Sequence, residues 1–287
     1  MSSRIPRVDL ERLLFDDAPF GDLTTDLLGI GGRPGVMHFT ARGPMILALA
    51  AEAAEILEIA GATVERLARD GDSLSAGDAI LRATGPAGAL LRGWKVAQTL
   101  IEIWSGVATA ARAIVEAARA VAPDIAVVCT RKNTPGVKNF SVAAVRAGGA
   151  EMHRLGLSET ILLFPDHRAF LGDESLDSIV RRLRRGAPEK KLVLEARTLA
   201  EALAAAEAGF DVIQAEKFPP ADIARLIENL APMPKRPAIA AAGGVTCANA
   251  AAYAAAGADM IVTSAPYAAP PRDVSVRFAP ILEPSDS

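Results

Sequence analysis

After Pro123 the chain repeats one unit: a short, predominantly apolar, strand-like run, a polar or small-residue end, and in most cases an Ala-rich segment. The runs are Ile125–Cys129, Ile161–Phe164, Leu192–Ala196, Val212–Ala215, Ala238–Ala242 and Met260–Thr263, with a shorter irregular element near Glu151–Arg154. A strand that is apolar along its whole length is buried on both faces, which happens where strands lie parallel under a cover of helices. Such strands alternating with helices leave two architectures, a βα barrel or a doubly wound sheet. The small-residue ends of the last two strands, with Gly243-Gly244 after the first of them, favour the barrel, because barrels commonly hold a phosphate there. About seven units are present, one short of the usual eight.

The N-terminal third has a different texture. Val8–Phe15 suits a helix, Gly21–Thr25 a polar turn, Val36–Thr40 and Met45–Leu49 strands, and Ala51–Ala60 a helix. Val64–Ala68 and Ala79–Thr84 read as glycine-punctuated strands, with turns at Asp70-Gly71-Asp72 and Ala76-Gly77-Asp78. Ala89–Val121 is a long helical region with a bend expected near Ser105-Gly106. The expected division is an α/β sandwich over 1–110, a catalytic α/β barrel over 111–270, and a segment 271–287 that returns to the first domain and ends in a loose tail.

Several function classes are excluded early. A formal net charge of -3 argues against a nucleic-acid partner held by bulk charge. The most apolar stretch, Met45–Val64, carries Glu52, Glu55 and Glu58, so it is no membrane span. Met1–Asp17 mixes charges among its apolar residues and has no signal-peptide core. Cys129 and Cys247 are isolated, without metal-ligand spacing, and read as thiols of a reducing compartment. A cytoplasmic protein with small-molecule partners is expected.

In a barrel the functional residues follow the strands, at one rim. Here those positions hold Arg131 and Lys132, His153 and Arg154, His167 and Arg168, Glu195 and Arg197, Glu216 and Lys217, Gly243 and Gly244, and Ser264. Cations outnumber carboxylates, which describes a pocket for a polyanion. Glu195 and Glu216 are available to hold a divalent cation or to stabilise a cationic intermediate. Ala242-Gly243-Gly244, ahead of a helix beginning near Cys247, offers bare backbone N–H groups to a phosphate.

Ordered segments along nearly the whole chain resemble the type II phosphoribosyltransferases, the family of quinolinate phosphoribosyltransferase. They are Gly21-Asp22-Leu23-Thr24-Thr25, Asp70-Gly71-Asp72, Gly85-Pro86-Ala87, Ser105-Gly106-Val107-Ala108-Thr109, Thr130-Arg131-Lys132, Thr134-Pro135-Gly136, Gly148-Gly149, His153-Arg154-Leu155-Gly156-Leu157 and Gly243-Gly244. The resemblance implies an N-terminal α/β sandwich and an incomplete, seven-stranded α/β barrel. It also implies a homodimer, or a higher oligomer built from it, in which the partner's N-terminal domain completes each active site. It implies transfer of ribose 5-phosphate from phosphoribosyl pyrophosphate, with Mg²⁺, onto a ring nitrogen. Carried over by position, Arg131, Lys132, His153 and Arg154 bind the anionic acceptor and the pyrophosphate, with Lys132 also counted as catalytic. Glu195 and Glu216 face the ribose and the metal, and Ala242, Gly243, Gly244, Thr263 and Ser264 surround the 5-phosphate.

Departures from the quinolinate pattern fall on the acceptor side. Lys95 stands where an Arg is usual, Phe164 where a Lys is usual, Glu216-Lys217 in place of Asp-Asn, and Ala242 in place of Ser. Trp94-Lys95 with Gln98, Phe218, Ala241-Ala242-Gly243-Gly244 and Val262-Thr263-Ser264-Ala265-Pro266-Tyr267 instead resemble the ModD branch, associated with molybdenum utilisation. The expected function is therefore phosphoribosyl transfer to an anionic heterocycle other than quinolinate, with Lys95 and Phe164 facing that acceptor. Two alternatives stand beside it: a quinolinate enzyme of NAD biosynthesis with an unusual pocket, and a non-catalytic protein that binds an oxyanion such as molybdate. Keeping Glu195 and Glu216 favours catalysis, since carboxylates repel a bound oxyanion and serve a developing cation.

Overall fold

In the computed structural model, which describes residues 5–281, helix α1 (Arg7–Asp17) turns Leu10 and Leu14 inward and its charges outward. Asp22 then caps α2 (Leu23–Leu28), its carboxylate accepting from the Thr24 and Thr25 N–H groups at 3.1 and 3.3 Å. The expected polar turn is thus a helix start, because Asp satisfies the orphan donors of a first turn. Strand β1 (Pro34–Ala41) buries alternate residues, Met37, Phe39 and Ala41 among them, as a sheet with one core face requires.

The strand expected at Met45–Leu49 shrinks to β2 (Met45–Ile46), because Leu49 adopts φ +61° and hands the chain to α3 (Ala50–Ile59). Asp70 accepts from the Ala50 N–H, at 2.8 Å, where α3 begins. Then come β3 (Thr63–Arg66), β4 (Ser73–Leu74), β5 (Ala79–Pro86) and α4 (Ala87–Arg119), a single helix of 33 residues. The remaining elements are β6 (Ala126–Cys129), α5 (Lys138–Ala147), β7 (Glu151–Met152), β8 (Ile161–Leu163), α6 (Pro165–Arg168), α7 (Leu176–Gly186), β9 (Leu192–Ala196), α8 (Leu199–Glu207), β10 (Val212–Glu216), α9 (Pro220–Leu230), β11 (Ala238–Ala242), α10 (Cys247–Ala255), β12 (Met260–Thr263), a 3-10 turn at Ala265–Ala268 and β13 (Val274–Pro280).

The chain packs as two units. Among the described residues the first comprises 5–111, Thr134–Gly149, which the sequence grouped with the barrel, and 268–281; the expected loose tail lies outside the described residues. Its main sheet is antiparallel in the order β13-β1-β5-β3. Gly106 of α4 lies under the Pro270 carbonyl, which an added Cβ would meet at 2.3 Å. Close packing, not a bend, explains that glycine.

The second unit comprises Arg112–Asn133 and Ala150–Tyr267. Its seven strands are parallel, in the order β7-β6-β12-β11-β10-β9-β8. The edge strands, β7 and β8, are consecutive in sequence, so the barrel stays open between them. Val128, Leu162, Val193, Val212, Ala240, Ala242 and Val262 fill its interior. Two ion pairs close the N-terminal ends of the central strands. Asp211 accepts from the Leu192 N–H and pairs with Arg184, while Asp259 accepts from the Ile239 N–H and binds both Nη atoms of Arg236.

Gly106→Ala is expected to destabilise the protein by about 1–3 kcal/mol through overpacking, read as a lowered Tm. A Tm equal to that of the parent would contradict the packing of Pro270 on α4.

Candidate active site

At the C-terminal ends of the barrel strands lies a cavity of about 580 Å³, a volume suited to a small-molecule ligand. Its cationic wall comes from the ends of β6 and β7: Arg131, Lys132 and Arg154, with His153 beside them. Among the described residues no carboxylate pairs with any of the three cations. Arg154 is only 6% exposed. Burial and the neighbouring Arg131 hold its guanidinium below the ordinary arginine range. A buried cation without a counter-ion is costly, and Arg154 with the exposed Arg131 beside it indicates that an anion completes the site. Burial, and then Arg154, hold His153 below the usual histidine range. It is therefore neutral at pH 7.

The opposite wall is acidic. Glu195 ends β9 and Glu216 ends β10, and Asp166 joins them from the first turn of α6. The Gln214 amide donates to Glu195 at 3.1 Å, and Arg197 lies 3.6 Å away. Burial, and then Glu216, raise the Glu195 carboxyl above the usual carboxylate range. Asp166 and Gln214 were not among the expected site residues. The signal for Gln214 was available, since it is the one amide in an otherwise apolar strand.

The glycine pair forms the third side. Gly243 and Gly244 both adopt left-handed backbone, at φ +84° and +86°. A Cβ on Gly243 would lie 2.6 Å from Glu216 Oε1 and 2.6 Å from Lys217 Cγ. Lys217, itself at φ +60°, donates its N–H to the Ala242 carbonyl at 2.7 Å, which draws the acidic and glycine loops together. Asn249 braces the following helix, accepting from the Thr246 N–H at 2.8 Å and donating to the Gly244 carbonyl at 3.1 Å. Ser264 lines the cavity. The buried Thr263 hydroxyl is already engaged, donating to the Val245 carbonyl and accepting from the Ala265 N–H, so it shapes the loop. Ala242 contributes a methyl group and backbone only.

Phe164 lines the cavity at the end of β8, its ring stacked with His167 at 5.7 Å and overlooked by the Arg154 guanidinium at 5.7 Å. That contact joins the two strands between which the barrel is open. Arg168 turns away to pair with Glu201. Lys95 is not among the lining residues; it belongs to the first unit, over the Trp94 ring at 3.9 Å and bonded to Gln98 at 3.0 Å. Burial pushes the Cys129 thiol up to about 12, which removes it as a nucleophile.

Two family models match in tandem, "Quinolinate phosphoribosyl transferase, N-terminal domain" over residues 22–105 and its C-terminal domain over residues 107–277. The chain belongs to the quinolinate phosphoribosyl transferase family. Within it, the Rhodobacter capsulatus protein named pyrophosphorylase ModD is 49% identical over 84% of this chain and 93% of its own length. An Archaeoglobus fulgidus protein named nicotinate-nucleotide pyrophosphorylase [carboxylating] is 32% identical over 74% and 79%. The crystal structure of NadC from Streptococcus pyogenes superposes with a TM-score of 0.87 at 27% identity, covering 96% of each chain. The chain is thus a ModD-like pyrophosphorylase, a phosphoribosyltransferase by family.

Gly243→Ala is expected to push Glu216 and Lys217 aside and to weaken binding of phosphoribosyl pyrophosphate by at least about tenfold, ~1.4 kcal/mol; unchanged affinity by calorimetry would refute the cradle. Glu195 supplies a second check through pH. Because its folded-state pKa is raised, the folded protein holds that proton more tightly than the unfolded chain. Its contribution to stability is present below the ordinary glutamate value and is lost as pH rises through the folded value. Glu195→Gln is therefore expected to raise Tm at pH 7.5 while cutting turnover by about 100-fold or more. A lowered Tm at pH 7.5, with the same pH slope as the parent, would contradict this.

Proposed function

We propose that this cavity transfers ribose 5-phosphate from phosphoribosyl pyrophosphate to the ring nitrogen of an anionic heterocycle. One observation carries the reading: unpaired cations, a carboxylate wall and a glycine cradle face one another across a single cavity. The 5-phosphate sits against the Gly243 and Gly244 backbone with Ser264, and the diphosphate against Arg131 and Lys132. The acceptor nitrogen's lone pair forms the bond to C1′ as the C1′–O bond breaks, and that electron pair leaves with the diphosphate. Positive charge develops on the ribose, and Glu195 and Glu216 stabilise it from beneath. Gln214 and Arg197 orient Glu195, and Glu216 is fixed beside Gly243.

Mg²⁺ fits this site as a partner of the substrate. Among the described residues no group of three or more His, Cys, Asp or Glu could hold a metal, whereas Mg²⁺ is typically held by one or two carboxylates plus substrate phosphates. Glu195 and Glu216 would supply the carboxylates, and the ion would neutralise charge on the departing diphosphate. The working form is a homodimer in which Lys95 reaches the partner's cavity. Exposed Phe15, Phe20, Leu23 and Leu27 of the first unit support it as surface suited to burial. No helix among the described residues is long and apolar enough to cross a membrane; a reducing cytoplasm suits the two free thiols.

The test is diphosphate release on mixing the protein with phosphoribosyl pyrophosphate, Mg²⁺ and a panel of heterocyclic carboxylates. Release that depends on both donor and acceptor, and is lost in Arg131→Ala, is the expected result. Donor binding that never leads to release would refute transfer. Molybdate binding in the absence of any donor binding would favour the oxyanion-binding alternative.

A further inference from the structure

Phosphoribosyl pyrophosphate is anionic at both ends, with the ribose between its 5-phosphate and its diphosphate. A site that grips both ends must hold two anion subsites at one separation, because contacts at the second end add affinity only when the geometry allows both at once. Here the subsites lie on loops of different strands, Gly243 and Gly244 after β11, and Arg131 and Lys132 after β6. Arg131 and Lys132 are exposed, and no carboxylate among the described residues holds them. Their placement therefore depends on how the backbone at the end of β6 is fixed.

Tyr267 fixes it. Its hydroxyl donates at 2.9 Å to the carbonyl of Thr130, the residue before Arg131, and lies 3.6 Å from the sulfur of Met152, the residue before His153. Thr130 Oγ1 in turn accepts from the Lys132 N–H at 3.2 Å. Tyr267 belongs to the 3-10 turn that follows Ser264, and its own N–H donates to the Ser264 carbonyl at 3.2 Å. Thr263 pins the start of that turn. Its hydroxyl accepts from the Ala265 N–H at 3.1 Å and donates at 2.7 Å to the carbonyl of Val245, the residue after Gly244. One path of hydrogen bonds thus runs from the glycine loop, through the Ser264 turn, to the backbone that carries the cations, all within the second unit. Tyr267 itself does not line the cavity. Burial, and then Cys129, hold its hydroxyl above the usual tyrosine range, so it stays a donor.

We infer that Tyr267 is a positioning residue, which sets the separation between the 5-phosphate cradle and the diphosphate cations through its hydrogen bond to the Thr130 carbonyl. This rests on the phosphoribosyl-transfer reading and adds to it a residue outside the cavity. The donor then meets two subsites already spaced for it, and little binding energy is spent on bringing the loops into register.

A residue that sets spacing affects ligands that bridge both subsites and spares those that fill one. Calorimetry on the full-length protein with Mg²⁺ therefore compares phosphoribosyl pyrophosphate with ribose 5-phosphate and with inorganic diphosphate. Tyr267→Phe, which keeps the ring and removes the hydroxyl, is expected to weaken phosphoribosyl pyrophosphate at least about tenfold, ~1.4 kcal/mol. Each half-ligand should change by less than about twofold, since a ligand at one subsite is indifferent to its distance from the other. Thr263→Val cuts the same path nearer the glycine loop and is expected to act alike, and the double variant should lose no more than either single one. Should Tyr267→Phe fail to fold, Thr263→Val carries the comparison of bridging and half-ligands by itself. Unchanged affinity for phosphoribosyl pyrophosphate, half-ligands weakened in step with it, or losses that multiply in the double variant would each overturn the inference and leave phosphoribosyl transfer standing. If the unsubstituted protein does not bind phosphoribosyl pyrophosphate at all, the transfer reading fails and this inference with it.

Discussion

The structure turns on a cluster of cations that the chain itself leaves unneutralised. Arg131, Lys132 and Arg154 are fixed at the ends of adjacent parallel strands, with Arg154 buried and no carboxylate paired to any of them among the described residues. Such an arrangement is unfavourable in the empty protein and becomes favourable only with an anion in place. At the other rim Arg184–Asp211 and Arg236–Asp259 are paired, and both carboxylates also accept from backbone N–H groups. The same barrel thus carries these two closed ion pairs at its N-terminal rim and, among the described residues, three cations without a carboxylate partner at its C-terminal rim.

The acidic wall extends the argument. Glu195 is buried beside Glu216 and repelled by it, which raises its carboxyl. Both gain when positive charge appears between them, as it does on the ribose when diphosphate departs. Gly243 makes the geometry possible, because a side chain there would occupy the position of the Glu216 carboxylate. Cradle and carboxylate are therefore one mechanical unit, linked through the Lys217 N–H and the Ala242 carbonyl.

Much of this was legible in the chain before its folding was known. Continuous apolar runs such as Ala238–Ala242 announce parallel strands, and the polar or small residues at the strand ends lie where barrel chemistry requires. Other features were hidden by the nature of their causes. The helix at Leu23–Leu28 depends on a cap from Asp22, and Gly-Asp-Leu-Thr-Thr reads equally well as a turn. Leu49 in left-handed backbone shortens a strand that composition alone would lengthen. Gly106 suggested a bend, and its real reason, the Pro270 carbonyl, lies far away in sequence. Asp166 escaped notice because it follows β8 within a Pro-Asp-His turn, while Thr263 looked free although its hydroxyl is consumed locally.

The most direct test of the account is a crystal structure of the protein with phosphoribosyl pyrophosphate and Mg²⁺ bound. The account places the 5-phosphate on the Gly243 and Gly244 N–H groups, the diphosphate on Arg131 and Lys132, and C1′ above Glu195 and Glu216. A donor bound in the opposite sense, or a 5-phosphate held by Arg154 with the glycine loop empty, would contradict it.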